Sequence, residues 1–188
     1  EFDGTDWINR GSSGMGSKYD AAMAYVEAAG KTFRFAGFNS THQNQTWEYQ
    51  TPNVATATSY GTGCSGQSGL GLNLVADNAP WTGATWTGTC TTMGPASFSL
   101  SVWGFTTAGL PLDIVLPGFG QTGCVLLNTA DAILGPALPV AGSTSIALPL
   151  ANDPALAGIQ LHAQVAELDF ALASLWMSNG VTLTIGVH

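Results

Sequence analysis

Positive charge is the scarcest feature of this sequence. Its 188 residues hold four Lys and Arg against twelve Asp and Glu, for a net charge of −8. All four cations, Arg10, Lys18, Lys31 and Arg34, lie near the N-terminus, and Tyr60–His188 contains none. The acids of that stretch, Asp77, Asp113, Asp131, Asp153, Glu167 and Asp169, leave it at −6. A phosphate backbone or an anionic lipid surface is held by cations that release its counterions, so nucleic-acid binding and attraction to anionic membranes are excluded at useful affinity. Charged residues make up only 9% of the chain, where soluble domains carry roughly 25%. Thr, Ser, Asn, Gln and Gly must therefore keep the surface wet. That composition is common in extracellular β proteins, and it places the expected location in the secreted or cell-surface space.

Long apolar runs are also missing. Pro and Gly interrupt every candidate, including Ile133–Gly142, so none reaches the roughly 18 residues of a membrane span and no membrane insertion is expected. No leader is visible. Because Glu1 opens in what reads as the middle of a repeat, a truncated or processed N-terminus is expected rather than a cytoplasmic protein.

Catalytic and cofactor signatures are equally thin. His42, His162 and His188 are isolated, with no His or Cys at ligand spacing, so no metal and no cofactor is expected. His162, in QLHAQ, reads as a solvated residue on the polar face of its strand. Gly61-Thr62-Gly63-Cys64-Ser65-Gly66 matches G-x-G-x-x-G in form. The alternating LGLNLVA that follows is a strand, however, and supplies no helix N-terminus for a pyrophosphate. There is no G-x-S-x-G elbow. Asp113 and Asp131 stand beside strands and turns without an aromatic-polar cleft signature, so turn or strand-face roles are favoured over a glycosidase pair. Asp3-Gly4-Thr5-Asp6 lacks the further spaced acids of a calcium loop. The chain is read as non-enzymatic.

What is present is short period-2 patterning in a chain that is 45% apolar with a mean hydropathy of +0.21. Leu70, Leu72 and Leu74 alternate with Gly71, Asn73 and Val75. Thr85, Thr87, Thr89 and Thr91 share one face, with Trp86, Gly88 and Cys90 opposite. Phe98, Leu100 and Val102 oppose Ser97, Ser99, Ser101 and Trp103. Ile146, Leu148 and Leu150, then Val181, Leu183, Ile185 and Val187, continue the pattern. About eight or nine such strands predict an all-β, two-layer sandwich, jelly-roll-like or immunoglobulin-like. Gly158–Val165 is assigned as a strand and Glu167–Trp176 as a loop or short helix, because apolar residues there fit both periods. In Leu110–Leu127, Leu112, Ile114 and Leu116 are expected to supply one core face before Pro117–Gly123 turns the chain.

The N-terminal part carries a weak echo, EFDGTDW at Glu1–Trp7 and TWEYQT at Thr46–Thr51, at a spacing of about 47 residues typical of propeller blades. Between them AMAYVEAAGKTFRFAGF reads as a hairpin, followed by loop residues Asn39–Thr41. DAAMAYVEAA prefers helix intrinsically, so its strand assignment rests on the repeat. The order YDAAMAYVEAAGKTFRFAGFNSTHQNQTWEYQ resembles a kelch-type repeat of bacterial secreted β-propellers. Ala36-Gly37 stands where that family has Gly-Gly, and Trp47 lies in the following strand. The resemblance implies a blade over 1–57, which alone cannot bury both faces. It would need upstream blades, the second domain or another chain.

Thr56–Gly186, through TATSYGTGCSG, LPLDIV, GFGQTGCVLL, LPLANDPALAGIQLHAQ and SNGVTLTIG, resembles a C-terminal module found behind propellers in secreted or surface proteins of planctomycete-like environmental bacteria. The resemblance implies a C-terminal β-sandwich over 58–188 with no established activity. Cys64 and Cys124 stand at the module's recurring cysteine positions, and both sit in Gly-rich corners, so they are expected to pair. Cys90, mid-strand on the Trp86 face, is expected as a buried free thiol. Asn39 and Asn44 open two N-x-S/T sequons on the expected loop. Trp103, on the Ser face, and Trp81, after a Pro, could stack on a sugar, meet another subunit or pack within the sheet. The expected function is a non-catalytic extracellular structural or adhesive module, self-assembling as a homo-oligomer, filament or surface layer. The alternative is a carbohydrate-binding module that recognises a cell-surface glycan.

Overall fold

A computed structural model describes residues 21–26, 31–50 and 53–187. The N-terminal echo, the Asp3–Asp6 segment and His188 lie outside them. The chain forms two compact units that part between Val54 and Ala55.

The first unit contains β1 (Ala22–Val26), β2 (Lys31–Asn39) and β3 (Thr41–Gln50), an antiparallel sheet in the order β1-β2-β3. Cross-strand pairs such as Tyr25↔Thr32 and Met23↔Arg34 hold β1 extended against its local helical preference. Ser40, at φ 61°, turns β2 into β3 directly. The loop expected over Asn39–Thr41 therefore shrinks to one residue, and Asn44 lies inside β3 rather than in a loop.

The second unit is the sandwich. Its larger sheet has the order β10-β7-β12-β14-β4, with β13 also paired to β12. These strands are β4 (Thr56–Tyr60), β7 (Phe98–Gly104), β10 (Ala132–Ala137), β12 (Gln160–Asp169), β13 (Ser174–Met177) and β14 (Gly180–Thr184). The smaller sheet, β11-β6-β5, contains β5 (Asn73–Ala76), β6 (Thr85–Thr91) and β11 (Thr144–Pro149). Between the sheets lie Leu74, Trp86, Cys90, Val165, Val181 and Leu183, all fully or nearly fully buried. The Thr face of β6 points outward and Trp86, Gly88 and Cys90 point inward, as the alternation predicts.

A third layer covers the outer face of the larger sheet. β8 (Thr107–Pro111) and β9 (Val125–Asn128) form a hairpin, and the fully buried Gln164 of β12 ties that layer down. Gln164 Oε1 accepts from Leu127 N at 2.9 Å, while its Nε2 donates to Val125 O at 3.0 Å and to Ser178 O at 2.7 Å. Both central strands, β7 and β12, are thus buried on two faces.

This second burial reverses one expectation. The Ser face of β7 points into the inter-sheet space, because each hydroxyl finds a partner there. Ser97 donates to Gly94 O, Ser99 meets Thr144 Oγ1 of the opposite sheet at 2.9 Å, and Ser101 accepts from Trp103 Nε1 at 3.0 Å. A satisfied hydroxyl costs little to bury, so polarity did not mark the solvent side.

Two further expectations are corrected. Glu167–Trp176 is neither loop nor helix throughout: β12 runs on to Asp169, and Phe170–Ala173 turn the chain into β13. In the Leu110–Leu127 corner, one helical turn, α1 (Leu112–Val115), replaces the expected extended run. That turn changes the side-chain period, so Leu112 is buried while Ile114 and Leu116 are exposed. Gly120 N donates to Leu116 O at 2.7 Å, and a Cβ at Gly120 would collide with Leu112 O.

The Cys64–Cys124 disulfide forms as expected, with the Cα atoms 5.2 Å apart, and staples this corner to the start of the domain. Nearby, the buried Asn179 satisfies the edge of β5: its Oδ1 accepts from Leu74 N at 2.7 Å and its Nδ2 donates to Leu74 O at 2.9 Å. A side-chain amide here takes the place of a neighbouring strand. The sandwich is closed on this side.

Candidate functional site

Two places in the second unit concentrate chemistry. The first is a pair of buried acids on one face of β12. Glu167 is fully buried, with Oε1 accepting from Gly94 N and Oε2 from Gln67 N at 3.1 Å. Asp169, 1% exposed, accepts from Gln67 Nε2 through Oδ2 and from Ala171 N and Leu172 N through Oδ1 at 2.8 and 3.1 Å. No cation exists in this unit to pair with them. Main-chain amides and one side-chain amide supply the compensation instead, in the manner of a carboxylate held in a backbone cradle. The two acids pin Gln67 and Gly94, one in each of the loops before β5 and β7, onto the central strand. A Cβ at Gly66 would strike Glu167 Oε2, so the approach is backbone against carboxylate. Neither acid faces solvent, which suits anchoring rather than proton transfer to a substrate.

Sequence reasoning weighed Asp113 and Asp131 as the carboxylates of interest and passed over this pair. Two acids spaced i, i+2 in AELDF share a strand face. In a region with only six acids, that coincidence was the available signal. Asp113 and Asp131 are not brought together as a pair: Asp113 sits in the first turn of α1, and Asp131 lies at the start of β10.

The second place is a cleft between the two sheets where the sandwich stays open, beside β10 and β11. It has a volume of about 280 Å³. Trp103, Leu161, Leu134, Leu148 and Phe105 form its walls, and Asp131 is its one charged residue. Trp103 is only 6% exposed, packed edge-to-face on Trp86 with ring centroids 5.8 Å apart. It is therefore cleft wall and not the exposed platform that a residue on a solvent-facing Ser face would be. Trp81, half-buried, does not line this cleft; it sits in a bridge to Gly186. The structure thus separates the two tryptophans singled out as ligand-binding residues.

Asp131 is held rigidly. Its Oδ2 accepts from Thr129 Oγ1 at 2.7 Å and from Phe105 N at 2.8 Å. Those bonds, the hydroxyl's first, hold its carboxyl below the usual carboxylate range.

Three further titratable groups, His162, Tyr60 and Cys90, are partly or fully withdrawn from solvent. His162 is 6% exposed rather than solvated, its Nδ1 3.0 Å from Thr182 Oγ1 and its ring edge-on to Tyr60. Burial lowers its pKa, and burial pushes the Tyr60 phenol up to about 12. Cys90 is a free thiol with no exposure; burial, then the neighbouring Glu167, push it up to about 12. Such a thiol packs as a small apolar group and is a poor nucleophile.

Among the described residues no group of three or more His, Cys, Asp or Glu is placed to hold a metal ion. Among them, too, no helix is long and apolar enough to cross a membrane. The sequence matches no protein-family model, and no curated protein or solved structure matches it.

Proposed function

We propose that this chain is a non-catalytic extracellular structural or adhesive module that associates through the open side of its sandwich. The observation that carries the reading is the strip from Ala132 to Ser145. It contains no charged residue, and its Ile133, Leu134, Leu138 and Val140 are 53–77% exposed. A cluster of exposed large apolar side chains marks an interaction surface. In a chain of net charge −8, copies repel one another over most of the surface, and a neutral apolar edge is where approach costs least.

Contact is made by side chains more than by strand addition. Pro136 and Pro139 lack backbone N–H groups, and the β10–β7 register shifts between Leu134 and Ala137, so a continuous ladder is blocked. The Cys64–Cys124 disulfide is compatible with an oxidising, extracellular setting. A sugar ligand at Trp103 is less favoured, because the cleft wall has one carboxylate and no other charged group to meet a ring of hydroxyls.

Sedimentation velocity over a concentration series, with electron microscopy at the highest concentration, tests this reading. Association is expected for the native chain, and its loss in Leu138→Lys/Val140→Glu with an unchanged far-UV circular dichroism spectrum. A strictly monomeric native protein at high concentration refutes it.

A further inference from the structure

We propose that copies of this chain join head to tail, the Ala132–Ser145 strip of one seated on the α1 corner of the next. The inference rests on the adhesive reading above and adds the second surface, the one the strip meets. That surface follows β8. Its Leu110, Ile114, Val115, Leu116 and Phe119 are 41–73% exposed, against 53–77% for the four large apolar side chains of the strip. Two such clusters on one unit mark two interaction surfaces.

Strand order sets the two surfaces at opposite edges of the larger sheet. β10, which opens the strip, pairs with β7, β7 with β12, and β12 with β13. Beyond β13 the next backbone is the corner itself: Leu175 N donates to Phe119 O at 2.8 Å, and Gln121 N donates to Leu175 O at 3.3 Å. Ala137, Ser99, Glu167 and Trp176 stand in one row across these strands. The end of β10 and the corner are therefore level, and four strand spacings, about 19 Å, separate them. Surfaces that face away from each other cannot both meet one neighbour, so contact between them propagates as an open chain.

Charge decides against pairing like with like. The strip has no charged residue, and the corner has one, Asp113, in the first turn of α1. A two-fold contact between corners would bring two Asp113 carboxylates toward each other, and no Lys or Arg exists between Ala55 and Val187 to relieve them. A two-fold contact between strips would leave every corner in water. Strip on corner covers both apolar surfaces and sets Asp113 against a neutral partner.

The test mixes two variants of the full chain, each with one surface disabled: Leu138→Lys/Val140→Glu in the strip and Ile114→Lys/Phe119→Glu in the corner. In sedimentation velocity, at a concentration where the native chain associates, each variant alone is expected to be monomeric. Their equimolar mixture is expected to form a heterodimer and stop there, because one intact strip and one intact corner remain to meet. Ile114→Lys alone, at the most exposed of the five positions, is expected to weaken association of the native chain about tenfold, the scale of one large apolar side chain kept from burial. That single variant carries the test should the double corner variant lose its far-UV circular dichroism spectrum. A corner variant that still associates, a mixture that stays monomeric, or association unchanged by Ile114→Lys overturns the head-to-tail arrangement while the adhesive reading stands. A monomeric native chain, or a strip variant that still associates, overturns both.

Discussion

Replacing Glu167 separates two physical accounts of a buried acid that has no cation. On one account the carboxylate is a burden, because desolvating a charge is expensive and nothing of opposite sign offsets it. On the other, its amide cradle makes it a net anchor. The geometry favours the anchor: both oxygens accept main-chain N–H groups, from Gly94 and Gln67, in a fully buried site. Hydrogen bonds to a charged acceptor contribute roughly 1.5–3 kcal/mol each, and an orphaned buried donor costs about 1–3 kcal/mol. Glu167→Gln keeps one acceptor but turns an NH₂ group toward the other amide, so a loss of about 2 kcal/mol is expected. Glu167→Ala orphans both amides and leaves a void, so a loss of roughly 4 kcal/mol is expected. Urea unfolding followed by tryptophan fluorescence measures both, since Trp86 and Trp103 lie in the same core. Hydrogen exchange at the Gly94 and Gln67 amides should accelerate more than exchange at Leu74, which Asn179 holds separately. A Glu167→Gln protein as stable as the native one, or more so, refutes the anchor account.

Two other outcomes follow from the same core. Removing the disulfide as Cys64→Ala/Cys124→Ala should lower stability by about 4 kcal/mol on the chain-entropy model, since the bridge spans a sequence separation of 60; a loss below about 1 kcal/mol by chemical denaturation would show that the corner holds without its staple. His162 has its pKa lowered by burial from 6.5, so the unfolded chain binds the proton more readily. Its contribution is fully present above about pH 6.5 and declines as pH falls through that value toward the lower folded pKa. Denaturation midpoints measured from pH 8 to 5 should show this decline in the native chain and a smaller one in His162→Gln; identical slopes would count against the assignment.

The all-β character was legible because alternation in segments such as Thr85–Thr91 and Val181–Ile185 reports a local property, the two-residue period of a pleated strand. The same signal misled where local pattern met non-local burial. In β7 the Ser face turned inward with each hydroxyl partnered, by Gly94, Thr144 and Trp103, and of these the Thr144 of the opposite sheet is the one no local pattern can locate. In β12 the mixed periodicity around Leu161–Trp176 arose because the strand is buried on both faces, which removes the polar half of the pattern. Asn44 was expected in a loop for its polarity, yet pairing with β2 carries β3 through it.

The candidate sites divide in the same way. The Glu167 and Asp169 pair was written in the chain as i, i+2, but the amides that make it an anchor come from loops about 100 and 73 residues away. The Trp103 cleft draws on four strands and the Phe105 turn, and no stretch of sequence contains it.

The sequence alone determined the sheet-forming periods, the scarcity of cations, and the residue types available for a disulfide and a free thiol. Only the tertiary structure decided which faces were core, which acid was shielded and where the sandwich stayed open. Strand period is set by neighbours one and two residues apart, whereas burial depends on what the rest of the chain places opposite each face.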